Sequence, residues 1–506
     1  MASRIRAPEL PATAPWLNTD RPLSLSELRG RILLLDFWTY CCINCLHVLP
    51  SLKYLERKYK DSLTVIGVHS AKFDNEKAVE NVRQAILRHD IEHPVLVDSG
   101  FNVWNQYAVR AWPTLVLVDP QGYYVGRVAG EGHQDLLEET IAGMVKESVA
   151  TGAIAFGELS VTLEKHRQNE TTPLLFPGKV LADGEGDRLF VADSGHHRLV
   201  VTNLEGNESQ TIGCGIPGFQ DGFFESARFR SPQGMALDAQ KQLLYVADTE
   251  NHALRKIDLQ RQTVTTIAGT GSKSNRRQPH SGSARLTALN SPWDLVKIGD
   301  MLLVAMAGSH QIWGMDLVSE IIGTYAGTGY ETCVDGDLGR SGFAQPSGIA
   351  TNGLEVFVAD SEISSIRGVG LHKGATVRTI CGSGDPFEFG DRDGTGDRAL
   401  LQHCLGVEYG DGYLWVADTY NHNIDRVDLQ TGECKTLCGA GATGNTDGNC
   451  TQARFYEPSG LSLANGILYI ADTNNHAIRR ISLETLEVTT IAFPGLAAPS
   501  VCIPVS

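Results

Sequence analysis

Two cysteines near the N-terminus have the spacing of a redox pair. Cys42 and Cys45 form a C-x-x-C motif between the apolar run Ile32–Leu35 and a helical pattern over Leu46–Leu55, in which Pro50 predicts a kink. This pattern places the cysteines where a strand buried on both faces turns into a helix. Free backbone N–H groups and the helix dipole favour a thiolate at such a junction. Two thiols at this spacing can close a disulfide, open it and exchange it with a partner.

Strands and helices alternate after the cysteines, and they predict a mixed α/β unit over residues 1–148. The expected strands are Leu63–Val68, Val95–Asp98, Leu115–Asp119 and Tyr124–Ala129, and the expected helices are Lys77–His89, Val103–Val109 and Leu136–Val145. Such a unit around a C-x-x-C motif predicts a thioredoxin-like fold.

Three local motifs resemble those of thioredoxins. Asp36-Phe37-Trp38 precedes Cys42 at the thioredoxin distance, the C-x-x-C pair follows, and Trp112-Pro113-Thr114 resembles the loop whose cis-proline packs beside the active disulfide. The resemblance implies that Cys42 attacks and that Cys45 resolves. It also implies that Asp36 accepts the proton of Cys45, if Asp36 is buried beneath it.

Other interpretations of these residues stay open at this point. Asp36 could be a solvated or capping carboxylate, and the two cysteines could be packed thiols without a redox cycle. Cys41 is either a third redox thiol or a small surface residue. The cis-proline at Pro113 is expected to belong to the catalytic site with Cys42, Cys45 and Asp36, whereas Trp38 and Trp112, like Cys41, are accessory candidates.

Composition and charge narrow the classes of function. The 506 residues carry a net charge of −16, and residues 1–150, with 16 basic and 18 acidic side chains, contribute only −2 of it. The remaining −14 disfavours binding to nucleic acid. The eleven cysteines lack the spacing of a disulfide scaffold, the N-terminus lacks an apolar signal region, and no apolar run approaches the length of a membrane span. These features predict a cytoplasmic protein without a membrane span.

A block recurs six times over residues 173–494, at intervals of 54–58 residues. It consists of an apolar V-A-D strand, a short turn and usually a histidine, and the Asp position is occupied by Asp193, Asp248, Met306, Asp360, Asp418 and Asp472. Four short strands for each block predict a six-bladed β-propeller, and the signature resembles NHL repeats. Residues 149–172 are then a linker and residues 495–506 a tail.

The repeated histidines have two interpretations. They are His197, His252, His310, His422 and His476, with Ser364 in the fourth block. They could form a ring of metal ligands, but a structural turn residue repeated by symmetry is favoured, so neither a metal nor a cofactor is predicted. Cys381 and Cys438 read as small buried apolar residues.

Long Gly-rich loops join the blocks and are expected to share a face with the histidine turns. The loop Gly213–Arg230 contains Phe219, Phe223 and Phe224 among acidic residues, which indicates a surface for a protein partner. Phe229 and Phe455 are expected to pack into their own blades instead.

A thioredoxin-like unit followed by an NHL propeller resembles the NHL-repeat-containing protein two family, whose C-C-I-N-C sequence Cys41–Cys45 matches. The first hypothesis is a thiol–disulfide oxidoreductase, with a propeller that recruits or positions a protein client carrying a disulfide or thiol. The alternative is a non-catalytic scaffold for protein interactions. A third possibility is a propeller enzyme with a metal or sugar site in its channel, which only the repeated histidines support.

Overall fold

The chain folds as two units, residues 1–170 and 171–506. The computed structural model describes residues 4–157, 159–167 and 171–499. Within these ranges, no helix is both long and apolar enough to cross a membrane. The N-terminal unit contains the C-x-x-C motif, and the C-terminal unit contains the repeats.

A mixed β-sheet forms the centre of the N-terminal unit. Its strands follow the order β1-β4-β3-β2-β5-β6, where β2, β3 and β4 are parallel and the other pairings are antiparallel. The strands are β1 Trp16–Leu17, β2 Ile32–Trp38, β3 Leu63–His69, β4 Val95–Val97, β5 Thr114–Val118 and β6 Tyr124–Ala129. The helices are α1 Ile43–Leu46, α2 Leu49–Lys58, α3 Val79–Arg88, α4 Asn102–Gln106 and α5 Gln134–Thr151. Every residue of β2 is buried, as its apolar sequence predicts for a central strand, and the thioredoxin-like arrangement is confirmed.

The helix after the cysteines differs from its prediction. The prediction of a single helix with a kink at Pro50 is wrong, because the chain forms two helices, α1 and α2. Pro50 lies in the first turn of α2, where the missing N–H has no intrahelical partner to lose. The amides of Ser51 and Leu52 both donate to the carbonyl of Val48, so these bonds form the first turn of the second helix, which contains the proline.

Much of the segment after α5 packs on the N-terminal unit. The amide of Ala155 donates to the carbonyl of Gly30 at 2.8 Å. Asn18 and Glu164 bind each other reciprocally, since each backbone N–H donates to the other's side chain, at 3.3 and 2.8 Å. The predicted linker, residues 149–172, therefore includes parts that pack on this unit, and its residues 158 and 168–170 lie outside the described residues.

Six antiparallel sheets form the C-terminal unit and confirm a six-bladed propeller. Blade 1 contains β7 Lys179–Asp183, β8 Arg188–Asp193, β9 Arg198–Thr202 and β10 Gln210–Ile212. Blade 2 contains β11 Gly222–Phe223, β12 Pro232–Asp238, β13 Leu243–Asp248, β14 Ala253–Asp258 and β15 Thr263–Ala268. Blade 3 contains β16 Ser281–Ser283, β17 Pro292–Ile298, β18 Met301–Met306, β19 Gln311–Asp316 and β20 Ile321–Ala326.

The other three blades follow the same plan. Blade 4 contains β21 Gly336–Asp337, β22 Pro346–Thr351, β23 Glu355–Asp360, β24 Ser365–Gly370 and β25 Thr376–Cys381. Blade 5 contains β26 Gly394–Thr395, β27 Gly406–Gly410, β28 Tyr413–Asp418, β29 Asn423–Asp428 and β30 Glu433–Cys438. Blade 6 contains β31 Gly448–Asn449, β32 Pro458–Ala464, β33 Ile467–Asp472, β34 Ala477–Ser482 and β35 Glu487–Thr490. Each blade is one continuous stretch of chain. The ring closes where Ser459 of blade 6 donates its hydroxyl to the carbonyl of Gly178, beside blade 1, at 2.6 Å.

The repeated histidines link neighbouring blades. The Nδ1 atom of each accepts a hydrogen bond from a backbone N–H just before the first long strand of the next blade, at 3.0–3.2 Å. Ser364 makes the equivalent bond through its hydroxyl oxygen, which accepts from the amide of His403 at 3.0 Å. Among the described residues, no group of three or more His, Cys, Asp and Glu side chains could hold a metal ion. The histidines therefore serve as structural connections between blades.

Buried polar groups cross the axis of the propeller. Lys179 of blade 1 forms an ion pair with Asp294 of blade 3 at 3.1 Å and donates to the carbonyl of Leu405, beside blade 5, at 2.6 Å. Both charged side chains are largely buried. A channel site for a sugar or metal gains no support from this arrangement, because the innermost strands are tied together there.

A disulfide joins blade 5 to the loop that leads into blade 6. It connects Cys438 with Cys450, whose Cα atoms are 4.3 Å apart. The interpretation of Cys438 as a small apolar residue is therefore wrong, whereas Cys381 is a buried free thiol. The loop that carries Cys450 folds back on the end of β30, where the amide of Gly439 donates to the carbonyl of Cys450 at 2.9 Å.

Blade 5 lacks a buried arginine that three other blades share. Arg255, Arg367 and Arg479 each connect two carboxylates of their own blade region. Asp425 occupies the corresponding position in blade 5, three residues after the histidine. Burial, reinforced by the charges of Asp391 and Asp393, raises the pKa of Asp425 to about 7. The ionised form of Asp425 is therefore unfavourable in the fold.

Asp425→Asn is expected to stabilise the propeller at pH 8 by on the order of 2–4 kcal/mol and to have little effect at pH 4. The folded-state pKa of Asp425 exceeds the unfolded value, so this carboxyl group costs stability as the pH rises from about 4 through 7. Urea unfolding followed by pulse proteolysis measures this, since fragment masses show which unit has unfolded. As the control, Asp472→Asn should destabilise blade 6 by about 3 kcal/mol, because it breaks the buried pair with Arg479. Equal effects of the two variants would contradict this account.

Candidate functional site

The two cysteines of the motif differ in exposure. Cys42 is partly exposed and caps the start of α1, where its carbonyl accepts the amides of Cys45 and Leu46 at 3.0 and 3.2 Å. Cys45 is 1% exposed, and both cysteines are free thiols. Burial, with a smaller contribution from the neighbouring Cys42 thiol, raises the pKa of Cys45 well above its usual value. The pair thus has an accessible outer thiol and an inner thiol that needs a base.

Asp36 lies in the middle of the sheet, on the central strand β2. Its side chain is 1% exposed, and neither carboxylate oxygen has a hydrogen-bond partner among the described residues. Burial raises the pKa of Asp36 to about 7, and the electrostatic interaction with His93 partly opposes this rise. The interpretation of Asp36 as a solvated or capping carboxylate is therefore wrong. A buried carboxyl group that titrates near neutral pH suits an exchange of protons with Cys45, whose pKa the charge of Asp36 raises further.

The predicted cis-proline loop lies at the same end of the sheet as the cysteines. The Trp112–Pro113 peptide bond is cis, as the sequence predicts. Thr114 pairs in register with Phe37 of β2, which places Trp112 and Pro113 near the end of that strand. The indole N–H of Trp112 donates to the carbonyl of Ser70 at 2.9 Å, and Trp112 is partly exposed.

Trp38 has a different environment from Trp112. It is buried and packs edge-on against His69, with ring centroids 5.1 Å apart. Burial lowers the pKa of His69 to about 3, so this ring is neutral at physiological pH. Trp38 therefore belongs to the buried part of the site, whereas Trp112 contributes to its surface.

A buried glutamate holds the loop that precedes Cys42. One carboxylate oxygen of Glu76 accepts the hydroxyl of Thr39 at 2.7 Å and the amide of Cys41 at 2.9 Å. The other oxygen accepts the amides of Lys72 and Phe73 at 2.9 and 3.0 Å. Cys41 is itself buried, so its interpretation as a surface residue is wrong, and its redox role stays a prediction.

Glu76→Gln is expected to destabilise this loop by about 2–4 kcal/mol. Each oxygen of Glu76 accepts two donors, and an amide group would turn one of these acceptors into a third donor. Hydrogen–deuterium exchange of the peptide over residues 39–46 measures the opening of the loop. Glu80→Gln, on the exposed side of α3, is the control and should leave this exchange unchanged. Equal exchange in both variants would show that Glu76 does not hold the loop.

Sequence reasoning missed Glu76 and also the pair His93 and Glu56. These residues come from segments that only the folded sheet brings to the motif. One signal was present for His93: Gly67 interrupts an otherwise apolar strand, and an isolated glycine in a strand often marks a close approach by another group.

Comparison with known proteins supports both units. A thioredoxin-like family model matches residues 30–124, and the NHL repeat model matches residues 229–257 and 455–481. The chain is 45% identical over 514 residues to Protein SUPPRESSOR OF QUENCHING 1, chloroplastic, of Arabidopsis thaliana, a match covering 97% of the chain and 48% of the plant protein. It is 42% identical over 522 residues to NHL repeat-containing protein 2 of Homo sapiens, covering 96% and 71% of the two chains. The thiol-disulfide oxidoreductase ResA of Bacillus cereus is 29% identical over 118 residues, which cover 23% of this chain and 66% of ResA.

These relatives differ in extent and in what their names say. The chain spans about half the length of the plant protein and 71% of the human one. The plant protein is described as chloroplastic, so the cytoplasmic location expected here stays a prediction. Identity to the human protein extends through both units with their order preserved. The chain therefore belongs to the family of NHL repeat-containing protein 2.

Proposed function

We propose that the N-terminal unit is a thiol–disulfide oxidoreductase of the thioredoxin-like type and that the propeller recruits its protein client. The observation that carries this proposal is the arrangement of three groups. Cys42 is accessible at the start of α1, Cys45 is buried behind it, and Asp36 is a buried carboxyl group without a hydrogen-bond partner in the described structure. These are the parts needed for attack, resolution and proton acceptance.

The exchange proceeds in two steps with Cys42 and Cys45 reduced at the start. The Cys42 thiolate attacks one sulfur of a client disulfide, forms a mixed disulfide and releases the other client sulfur as a thiolate, which takes a proton from water. Cys45 then gives its proton to Asp36 and attacks the Cys42 sulfur, so that the second client thiolate leaves. The client gains two electrons and the Cys42–Cys45 pair loses them, and an external dithiol reductant restores the pair.

The loop face of the propeller supports the recruitment of a client. Tyr330 and Phe387 are 66% and 72% exposed in loops between blades, and Phe219 is exposed as well. Phe223 is also exposed, but it lies on β11 beside Thr263, at the end of blade 2 away from the His252 turn. Phe224, Phe229 and Phe455 are buried, which corrects the expectation for Phe224 and agrees with that for the other two. Exposed aromatic side chains are enriched at protein interfaces, and the acidic charge of this unit disfavours nucleic acid as the partner.

A turnover assay tests the proposal. The purified full chain should accelerate the reduction of insulin disulfides by dithiothreitol in proportion to its concentration, because Cys42 passes electrons between them. Absence of acceleration, while Cys42 remains accessible to alkylation, would contradict the oxidoreductase proposal.

A scaffold role remains the second candidate, and the exposed aromatic residues of the loops favour it. In that role Cys42→Ser would leave the binding of partners unchanged, and the wild-type chain would show no turnover. Pull-down of partners by wild type and Cys42→Ser, compared with the insulin assay, separates the two candidates.

A further inference from the structure

Asp36 is enclosed by the fold and needs a route for its proton. The titratable groups that face it are Cys45 from α1, Glu56 from α2 and His93 from the segment before β4. Its strand neighbours are Gly67 on β3 and Leu115 on β5, which present no titratable group. Apart from Cys45, the titratable groups near Asp36 are thus His93 and Glu56.

The ring of His93 fills a space beside Asp36 that a glycine leaves open. Gly67 pairs in register with Asp36 across the parallel strands β2 and β3, so their side-chain positions lie on the same face of the sheet. A Cβ atom at Gly67 would lie 3.3 Å from Nε2 of His93 and 2.9 Å from Nε1 of Trp38. Nε2 of His93 is buried and has no hydrogen-bond partner among the described residues, and the same holds for both oxygens of Asp36.

The other ring nitrogen of His93 points toward the surface. Nδ1 lies 3.5 Å from Oε2 of Glu56, and the side chains of His93 and Glu56 are 3% and 24% exposed. The backbone of His93 is held in place, since Asn18 donates its side-chain amide to the carbonyls of Ile91 and His93 at 2.7 and 3.0 Å. A buried ring whose Nε2 lies beside Gly67, the strand partner of Asp36, and whose Nδ1 faces a partly exposed carboxylate has the form of a relay.

We propose that His93 and Glu56 form a proton relay that connects Asp36 with solvent during the resolving step; this rests on the proposed oxidoreductase function. Asp36 receives the proton of Cys45 as the Cys45 thiolate attacks Cys42. No direct hydrogen bond joins Asp36 to His93 in the described structure, so the proton passes through one bridging water to Nε2 of His93, which carries its hydrogen on Nδ1 beforehand. The Nδ1 proton moves to Glu56 and from there to water, so the number of protons is conserved at each transfer and Asp36 is ready for another cycle.

The resolving step can be measured by itself with a chromogenic leaving group. The full-length chain is reacted with dithionitrobenzoate, and the release of thionitrobenzoate from Cys42 by Cys45 is followed by stopped flow between pH 5 and 10. Cys45→Ser provides the background from other labelled thiols. In the wild type, the rate should rise with pH and show an inflection near 7, where Asp36 ionises.

His93→Gln should slow the release about tenfold at pH 7 and approach the wild-type rate near pH 10, where hydroxide takes the proton directly. Glu56→Gln, at a partly exposed position that tolerates the change, should show a smaller loss with the same pH dependence. His89→Gln is the matched control. The charges that act on this histidine are those of Arg88 and Lys53, and it is not a member of the proposed relay. A purely structural role of His93 would instead lower the rate equally at every pH.

The outcomes separate the relay from the function on which it rests. Wild-type profiles in both His93→Gln and Glu56→Gln, with normal release by the wild type, would overturn the relay and leave the oxidoreductase standing. Loss of rate that is independent of pH in both variants would also overturn it. Failure of the wild type to release thionitrobenzoate through Cys45 would overturn both proposals.

Discussion

Cys42→Ser is expected to abolish disulfide exchange, lowering insulin turnover by at least about a thousandfold, since Cys42 is partly exposed whereas the thiols of Cys41 and Cys45 are buried. Cys45→Ser should leave the attack intact and trap the client as a mixed disulfide on Cys42, because the resolving thiol is missing. Mass spectrometry of alkylated, non-reduced protein measures both effects: the trapped species appears with Cys45→Ser and is absent with Cys42→Ser.

Cys41→Ser is the matched control for these two variants. Cys41 is buried, and its backbone N–H is bound by Glu76, so a serine at this position should keep the loop and most of the turnover. If Cys41→Ser lost as much turnover as Cys42→Ser, the assignment of the attack to Cys42 would be contradicted. Trapping of the client by Cys42→Ser would have the same meaning.

Asp36→Asn is expected to make the N-terminal unit more stable and the site slower. The folded-state pKa of Asp36, about 7, lies above the unfolded value near 3.9, so this carboxyl group costs stability as the pH rises from about 4 through 7. The amide removes this cost, and the gain should be on the order of 2–4 kcal/mol at pH 8 and close to zero at pH 4. The rate of resolution should fall by about 10–100-fold at pH 7, because Cys45 loses its proton acceptor. Pulse proteolysis in urea and stopped-flow release measure the two effects.

Asp98→Asn serves as the control for Asp36→Asn. Asp98 is also buried, but its carboxylate accepts the amides of Val103 and Trp104 at the start of α4, at 3.2 and 2.9 Å. This substitution should therefore destabilise the unit and leave the pH dependence of resolution unchanged. A destabilising effect of Asp36→Asn at pH 8 would show that Asp36 has a favourable partner in the native protein.

The parts of the site that are local in sequence could be predicted from it. The C-x-x-C pair, Asp36 and the cis bond at Pro113 belong to short motifs whose meaning does not depend on distant contacts. The repeat likewise predicts the propeller, because six similar blocks can bury their faces only against one another. The turn histidines follow the same logic, and each binds the backbone that leads into the next blade.

The parts that were missed depend on contacts between distant segments. His93 reaches Asp36 only because β4 lies beside β3 and Gly67 leaves space for its ring. Glu76 reaches Cys41 from the segment after β3, and Cys450 reaches Cys438 from the loop into the next blade. Asp425 is a different case, because aligning the blocks would have shown an aspartate where three other blades have arginine.

A redox titration of the full chain tests the central claim most directly. The chain is equilibrated in glutathione and dithiothreitol buffers, its thiols are alkylated, and the peptides are weighed so that Cys42–Cys45 is distinguished from Cys438–Cys450. The account predicts a single reversible two-electron transition that links Cys42 to Cys45. A midpoint near or below about −250 mV would identify a reductant, and one near −180 mV or above an isomerase or oxidant. If Cys42 and Cys45 remain thiols at every potential while the protein stays folded, the oxidoreductase account is contradicted and the scaffold role takes its place.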